Sequence, residues 1–121
     1  MTINQVLDLL DSQQPNASTR EEKLTWLNRL NGLLHDTLWV HYENVPEVSP
    51  YTPETDPETV LPVPAPWDEM YLRYLQAQID QVNGELTRYA NSSALYNNLL
   101  SAYRDHYNRT HQARRGGWKY F

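Results

Sequence analysis

The sequence predicts a mainly α-helical protein: a small bundle of three to four helices, with a projecting two-stranded β-ribbon or loop insertion and an extended C-terminal tail. Three observations predict this fold class. Apolar or aromatic residues recur at gaps of three and four from Leu72 to Tyr107, with one polar interruption at Ser93, which marks one helical face. Two capping-box motifs near the N-terminus mark helix starts. Residues 46–58 contain four prolines and therefore separate the helical halves.

A chain of 121 residues is expected to form a single domain, 1–121. Its predicted parts are N-terminal helices over 1–38, the β-ribbon or loop insertion over 39–65, C-terminal helices over 66–111 and the tail over 112–121. Cysteine is absent, so the sequence predicts neither disulfides nor thiolate metal ligands. No apolar run is long enough to span a bilayer, and the start lacks the pattern of a signal peptide. Synthesis inside the cell, without membrane contact, is the expectation.

Capping boxes place the first two helices. Thr2 and Gln5 fit the motif for a short helix that ends near Leu10. Ser18 and Glu21 fit it again, which predicts the start of a second helix.

The second helix is predicted to run to about Leu38. Gly32 lowers its helix propensity, which suggests a close approach by a neighbouring element. Its buried face is predicted to comprise Leu27, Leu30, Leu34 and Leu38, with Trp26 and Leu33 beside them.

The β-ribbon is predicted from two extended runs. Residues 37–42 are rich in β-branched and aromatic side chains, which is typical of a strand, and residues 59–63 form a second, weaker run. Residues 46–58 carry four acids beside their four prolines, and we expect them to form a long projecting tip. The ribbon residues predicted to contact a neighbouring subunit or partner are Trp39, His41, Tyr42 and Tyr51.

The C-terminal half is predicted to form a third and a fourth helix. The third begins at Trp67-Asp68-Glu69, where acids suit the positive end of the helix dipole, and continues to about Tyr89. Residues 91–93 (Asn-Ser-Ser) predict a break or kink, because Asn and Ser prefer N-cap positions. The fourth helix then runs from about Ser92 to His111. One continuous helix of roughly 65 Å is the alternative.

Enzymatic motifs are missing from the sequence. The four glycines form no phosphate-binding loop, and neither a Gly-x-Ser-x-Gly elbow nor a cysteine nucleophile occurs. His41 and Glu43 would share a strand face and supply half of a metal site, but isolated pairs of this kind are usually surface residues. A protein without catalytic activity, cofactor or metal is therefore expected.

Charge is distributed unevenly along the chain. Residues 1–66 hold three Lys/Arg and ten Asp/Glu, a net charge of −7, whereas residues 67–121 hold seven and five, a net charge of +2. This polarity suits head-to-tail packing between copies. A solvated surface with a basic end is the alternative interpretation.

The C-terminal tail is predicted to dock on a partner. Three aromatics after a Gly-Gly pair cannot bury themselves on so short a segment, and aromatics and arginine dominate binding hot spots. A disordered end, or contact with nucleic acid through its cations, are the alternatives. The residues predicted to carry docking are Arg114, Arg115, Trp118, Lys119, Tyr120 and Phe121.

Several helical segments together carry a family resemblance. The N-terminal part is a short helix followed by Glu21–Asn28. The C-terminal segments are Trp67–Tyr71, Tyr74–Asp80, Asn83–Glu85, Arg88–Tyr89, Asn91–Ser92, Ala94–Asn97 and Tyr107–His111. These segments resemble the head-to-tail connector, or portal adaptor, proteins of tailed bacteriophages. The likeness is a pattern of helix residues over most of the chain except the 46–58 tip, and it contains no catalytic signature.

The resemblance implies a virion protein of the neck, at the head–tail interface, made in the host cytoplasm. Such proteins form a ring of typically twelve copies (a dodecamer) beneath the portal, insert their C-terminal segment into it and lengthen the DNA channel. They also offer a platform to the tail or to a stopper or nozzle protein. By this resemblance, residues 112–121 would dock on the portal and residues 37–63 would contact a neighbouring copy or the next tail component. The acidic residues 1–66 would line a channel that DNA passes without sequence-specific binding.

Two other functions stay open at this point. A tail-side neck or completion protein is a close neighbour of the adaptor. A small phage regulator or nucleic-acid-binding module outside the virion is a rival class, but the sequence shows neither a helix-turn-helix nor a concentrated basic face.

Overall fold

A computed structural model describes residues 1–113 of the chain. It contains four helices, α1 Ile3–Gln13, α2 Arg20–Thr37, α3 Glu69–Asn83 and α4 Leu86–Thr110, and one 3₁₀ turn, Trp39–His41. Helix α3 lies at the centre and packs against each of the other three helices. The predicted mainly helical fold with four helices is confirmed. Over residues 1–113, none of the helices has the length and apolar character needed to cross a membrane.

Helix α1 begins at the predicted capping box. The amide of Gln5 donates to the Thr2 hydroxyl at 3.1 Å, and the amide of Thr2 donates to the Gln5 side chain at 2.9 Å. The first two amides inside the helix also have partners. The Ile3 amide donates to the Thr59 carbonyl oxygen and the Asn4 amide to the Pro57 carbonyl oxygen, each at 3.0 Å. The loop after α2 therefore satisfies donors that a helix N-terminus leaves open.

Helix α2 begins one residue later than predicted. Its N-cap is Thr19, which exchanges two hydrogen bonds of 3.1 Å with Glu22, so the capping box assigned to Ser18 and Glu21 is wrong. Both pairs fit the motif spacing, and only the backbone conformation decides between them. The predicted leucine face is confirmed, but Leu33 is 45% exposed.

The predicted β-ribbon is not present. Within residues 1–113 the only strand-like pairings are two isolated bridges, Thr2 with Val60 and Tyr42 with Ala113. Residues 37–42 instead finish α2 and form the 3₁₀ turn. The physical reason is that Leu38 and Trp39, which are sequence neighbours, both enter the core, whereas a strand would place them on opposite faces.

The 46–58 segment does not project as a tip; it is tied to the helices. The side-chain amide of Asn28 accepts from the Tyr51 amide at 2.7 Å and donates to the Tyr51 carbonyl at 3.0 Å. Asn31 donates to the Tyr51 hydroxyl at 3.1 Å. Leu61 and Val63, which follow this segment, are buried in the core. The segment is thus a strap across the bundle.

Helices α3 and α4 are separate, and the break lies earlier than predicted. Gly84 ends α3 with φ +72°, a left-handed conformation that favours glycine. Residues 91–93 lie inside α4, where the Ser92 hydroxyl donates to the buried Asp80 carboxylate at 3.0 Å. This bond satisfies Ser92 within the helix, so the break predicted at residues 91–93 is wrong. The single long helix is wrong as well, because Gly84 separates α3 from α4.

Candidate docking site at the base of the C-terminal segment

The predicted docking segment, residues 112–121, starts on the surface of the helical body. The Glu43 amide donates to the Gln112 carbonyl at 2.9 Å, and Tyr42 and Ala113 form an antiparallel bridge. The chain thus leaves α4 and is immediately held beside the residues that follow the 3₁₀ turn. The first two residues of the docking segment therefore have a defined position.

An aromatic stack fixes the end of α4 next to this bridge. The ring of Tyr42 packs edge-on against Tyr107, with centroids 5.1 Å apart, and its hydroxyl donates to the side chain of Asn108. Tyr107 also stacks on His111, with centroids 3.6 Å apart and an angle of 4° between the rings. Edge-to-face and stacked pairs stabilise a single arrangement of the rings beyond the area they bury.

A second layer joins this stack to the core. Trp39 is fully buried, and its indole N–H donates to the Tyr103 hydroxyl at 2.9 Å. Trp67, at the start of the chain's C-terminal half, stacks on His106 with ring centroids 4.1 Å apart. Its ring also lies at a tilt to that of Tyr103, with centroids 6.0 Å apart. The 3₁₀ turn, the entry to α3 and the last turns of α4 are consequently held together at one end of the bundle.

Burial raises the pKa of two tyrosines of this region, Tyr103 and Tyr107. It raises the pKa of Tyr103 to about 12, although the hydrogen bond from Trp39 acts in the opposite direction. Burial, followed by the proximity of Tyr42, also raises the pKa of Tyr107. Within the part of the chain that the structure describes, the Tyr107 hydroxyl is buried and has no hydrogen-bond partner. The region therefore offers apolar rings and one buried hydroxyl without a partner among the described residues.

A shallow groove of ≈ 350 Å³ lies beside the bridge. This volume is at the lower end of the range of ligand pockets. Leu38 and Tyr42 supply apolar surface to it, and His41 and Arg104 supply hydrogen-bond donors. Thr37, Asn108 and Ala113 complete its lining. Such a surface suits an extended peptide or an aromatic side chain.

The structure brings together some of the residues that the sequence predicted as contacts. His41 is exposed and Tyr42 is half-buried, and both line the groove. Trp39 lies beneath them without accessible surface, so its ring belongs to the core. Tyr51 is held elsewhere, by Asn28 and Asn31 of α2. The docking residues Arg114, Arg115, Trp118, Lys119, Tyr120 and Phe121 lie outside the described residues.

Sequence reasoning missed the residues that hold this end together. It gave no role to Asn108 or to the stacking of Trp67 on His106, and nothing in their spacing indicates these contacts. Asn31 did leave a signal, because a polar residue among the buried leucines of α2 requires a buried hydrogen-bond partner.

His41 and Glu43, the pair that the sequence offered as half of a metal site, are both exposed to solvent. Over residues 1–113, no three side chains among His, Cys, Asp and Glu are grouped so that they could share a metal ion. The arrangement at the base of the docking segment is therefore best described as a binding surface. Comparison with known proteins adds no relative: no family model, no curated protein and no solved structure matches this chain.

Proposed function

We propose that this protein is a head–tail adaptor of a tailed-phage virion, a ring component beneath the portal whose C-terminal segment docks on the portal ring. The proposal rests on the resemblance to connector proteins and on the mainly helical body, which is compatible with it. The protein acts by assembly, and it extends the DNA channel between the head and the tail.

One observation carries the proposal. The docking segment leaves the body from a fixed base, the bridge between Tyr42 and Ala113, next to a stack of aromatic rings. The eight residues that follow Ala113 contain three aromatics and three cations and no acidic side chain. A recognition segment on a rigid base loses less conformational entropy on binding than one on a mobile end.

The acidic surface supports a role next to DNA. Between Arg29 and Arg73 the chain has no lysine or arginine and eight acidic residues. Five of these acids are exposed and close together in sequence: Glu43, Glu47, Glu54, Asp56 and Glu58. We propose that this segment faces the channel, where negative charge would repel phosphates and let DNA slide.

Portal binding tests the proposal directly. The full-length chain and a chain that ends at Ala113 are each mixed with the portal protein of the same genome and examined by co-purification and electron microscopy. Ending at Ala113 keeps the bridge to Tyr42, so the shortened chain loses the recognition residues and retains their base. We expect a ring on the portal with the full-length chain and no ring with the shortened chain.

Two further variants separate charge from aromatic contacts. One replaces Arg114, Arg115 and Lys119 by glutamine, and the other replaces Trp118, Tyr120 and Phe121 by alanine. We expect the aromatic variant to lose binding and the charge variant to bind more slowly and with weaker salt dependence, because hot spots set affinity and charges steer encounter. If the full-length chain does not bind the portal, the adaptor proposal is wrong. Binding to a purified tail tube instead would identify a tail-side neck protein.

A further inference from the structure

A polar pocket of about 400 Å³ lies between the C-terminal end of α1, the second half of α3 and the first turns of α4. This volume is within the usual range of ligand sites. Aromatic residues aside, six buried residues of the described chain are polar or charged, and four of them line this pocket: Gln14, Gln76, Asp80 and Ser92. Burying polar side chains costs free energy, so their concentration around one pocket indicates more than chance packing.

Asp80, in the last turn of α3, is a buried carboxylate with neutral partners only. It is 2% exposed, and it accepts hydrogen bonds from the side-chain amide of Gln14 and, at 3.0 Å, from the Ser92 hydroxyl. No cation within residues 1–113 forms an ion pair with it. An ionised carboxylate is costly to bury without a counter-ion. Each oxygen of Asp80 accepts one bond here and has the capacity for another.

Arg88 lines the same pocket and also lacks an ionic partner. It is exposed, and its side chain makes no hydrogen bond or ion pair with the residues that the structure describes. Positions 88 and 92 are one helical turn apart, so Arg88 is a close neighbour of the bond between Ser92 and Asp80 without joining it. Arg88 also lies in the first turn of α4, where the helix dipole disfavours a cation.

The other charges near the pocket are paired or lie outside its lining. The guanidinium of Arg73, which also lines the pocket, donates to Glu69 at 3.0 Å. Asp11, near the end of α1, pairs with Lys23 at 2.7 Å. Glu85 is the exposed N-cap of α4; its side chain makes no capping hydrogen bond, and it does not line the pocket. The pocket therefore presents one carboxylate and one guanidinium that lack ionic partners.

The two helix ends at the pocket carry opposite partial charges. Helix α1 ends at Gln13 with no basic side chain in its last turn, and α4 begins at Leu86 with no acidic side chain in its first turn and no side-chain cap. A helix C-terminus attracts a cation, and a helix N-terminus attracts an anion. The field of the two ends thus has the same direction as the pair of side chains, negative towards Asp80 and positive towards Arg88.

We propose that this pocket binds a small zwitterion of the α-amino acid class, with its ammonium on Asp80 and its carboxylate on Arg88. Asp80 would repel a simple anion, and Arg73 and Arg88 would repel a simple cation. A divalent metal ion needs several oxygen or nitrogen ligands of suitable charge, and Asp80 is the one carboxylate in the described lining, which has no histidine. A ligand that carries both charges satisfies both groups at once.

The rest of the lining fits the remaining atoms of such a ligand. The side-chain amides of Gln13 and Asn91 can bond its polar groups. Pro15 and Leu95 offer apolar surface, and Leu95 is 45% exposed. We therefore expect an amino acid with an aliphatic side chain to bind best. The binding requires neither a ring nor a portal, so the inference goes beyond the proposed function.

Nuclear magnetic resonance titration of the isotope-labelled full-length protein tests the site, with each common α-amino acid added in turn. We expect an aliphatic amino acid such as L-leucine to shift the amide resonances of Asn91, Ser92 and Leu95 until they saturate. Two analogues of leucine test the two charges: 4-methylpentanoate lacks the ammonium, and 3-methylbutylamine lacks the carboxylate. Each should bind at least about tenfold more weakly, because one charge-assisted contact is lost.

A pair of variants tests the role of Arg88. Arg88→Gln removes the cation at an exposed position, so the fold should be kept, and leucine should bind at least about tenfold more weakly. Arg29→Gln makes the same change at an exposed position of α2 outside the pocket and should bind leucine like the wild type. Thermal unfolding of the three proteins checks that both variants are folded.

Four results would each overturn the proposal. The absence of saturable shifts with every amino acid would show that the pocket takes no ligand of this class. Shifts confined to residues outside the pocket would place the binding elsewhere. An analogue that binds as tightly as leucine would show that the missing charge is not recognised. Binding to Arg88→Gln that is as tight as binding to Arg29→Gln would remove Arg88 from the site.

Discussion

The hydrogen bonds of Asn31 predict that one buried side chain holds the 46–58 strap to the bundle. Asn31 is 1% exposed. It accepts a hydrogen bond of 2.9 Å from the Tyr71 hydroxyl and donates one of 3.1 Å to the Tyr51 hydroxyl. The Tyr71 hydroxyl also accepts from the Val63 amide at 3.2 Å. The substitution Asn31→Ala removes the link between α2, the strap and α3 while leaving the apolar core in place.

The expected loss in the free energy of unfolding follows from the hydroxyl groups that Asn31→Ala leaves without a hydrogen-bond partner. Two hydrogen bonds are lost, at about 1 kcal/mol each. The Tyr71 side chain is 0% exposed, so water cannot replace the lost acceptor, and an unsatisfied buried hydroxyl costs about 1–3 kcal/mol. Tyr51 is half-buried, and its hydroxyl can exchange Asn31 for water. We expect Asn31→Ala to lower the free energy of unfolding by about 2–4 kcal/mol, out of a typical total of about 5–15 kcal/mol.

Urea unfolding of the wild type, Asn31→Ala, Tyr71→Phe and the double variant measures this effect. The two single effects should add up to about 1–2 kcal/mol more than the double effect, because the shared bond is lost only once. Asn28→Ala is the matched control: it removes two bonds to the backbone of Tyr51 at a half-buried position, and we expect about 1 kcal/mol. A loss below about 1 kcal/mol for Asn31→Ala, or full additivity with Tyr71→Phe, would refute the reasoning.

Three other predictions concern stability. Thr19→Ala should lower the free energy of unfolding by about 1 kcal/mol in thermal unfolding, because Thr19 is the N-cap of α2, whereas Ser18→Ala should change it by less than about 0.5 kcal/mol; equal effects would contradict the assignment. Gly32→Ala should raise it by about 0.5–1 kcal/mol in the free protein, since a Cβ atom meets open space there, and a lower melting temperature would contradict that geometry. Alkaline pH should destabilise the fold: burial raises the pKa of Tyr103 to about 12 and also raises that of Tyr71, while unfolded tyrosine ionises near pH 10. Stability should therefore be full below about pH 10 and fall between about pH 10 and 12 by up to ~1.4 kcal/mol per pH unit for each buried tyrosine, and a urea midpoint that is constant over this range would contradict it.

Helix content and one capping box could be predicted because their causes are local. The gaps of three and four in the C-terminal half and the Thr2–Gln5 pair each specify a structure within a few residues. The start of α2 was missed by one residue because Ser18 and Thr19 both have the right partner three positions later. A choice between two equivalent caps depends on how the preceding chain arrives, which no local pattern contains.

The ribbon and the helix break were missed for a tertiary reason. Residues 37–42 have the composition of a strand, but Leu38 and Trp39 are both buried in the core. A strand would place these two neighbours on opposite faces. The break at residues 91–93 does not occur because Asp80, twelve residues earlier, accepts a hydrogen bond from Ser92. The base of the docking segment likewise depends on contacts between residues about 70 positions apart, such as Tyr42 with Ala113. Such pairings become visible only once α3 and α4 have folded back on each other.

The bridge at Ala113 also defines how a pulling force would enter the molecule. Tension on the last eight residues would first load the bond between the Glu43 amide and the Gln112 carbonyl. It would then reach the stacked pair Tyr107 and His111 at the end of α4. Resistance to pulling is governed by the rate of unfolding and not by equilibrium stability. A change at this one clamp, such as Glu43→Pro, should therefore lower the rupture force of the terminal turn with little effect on the unfolding of the bundle.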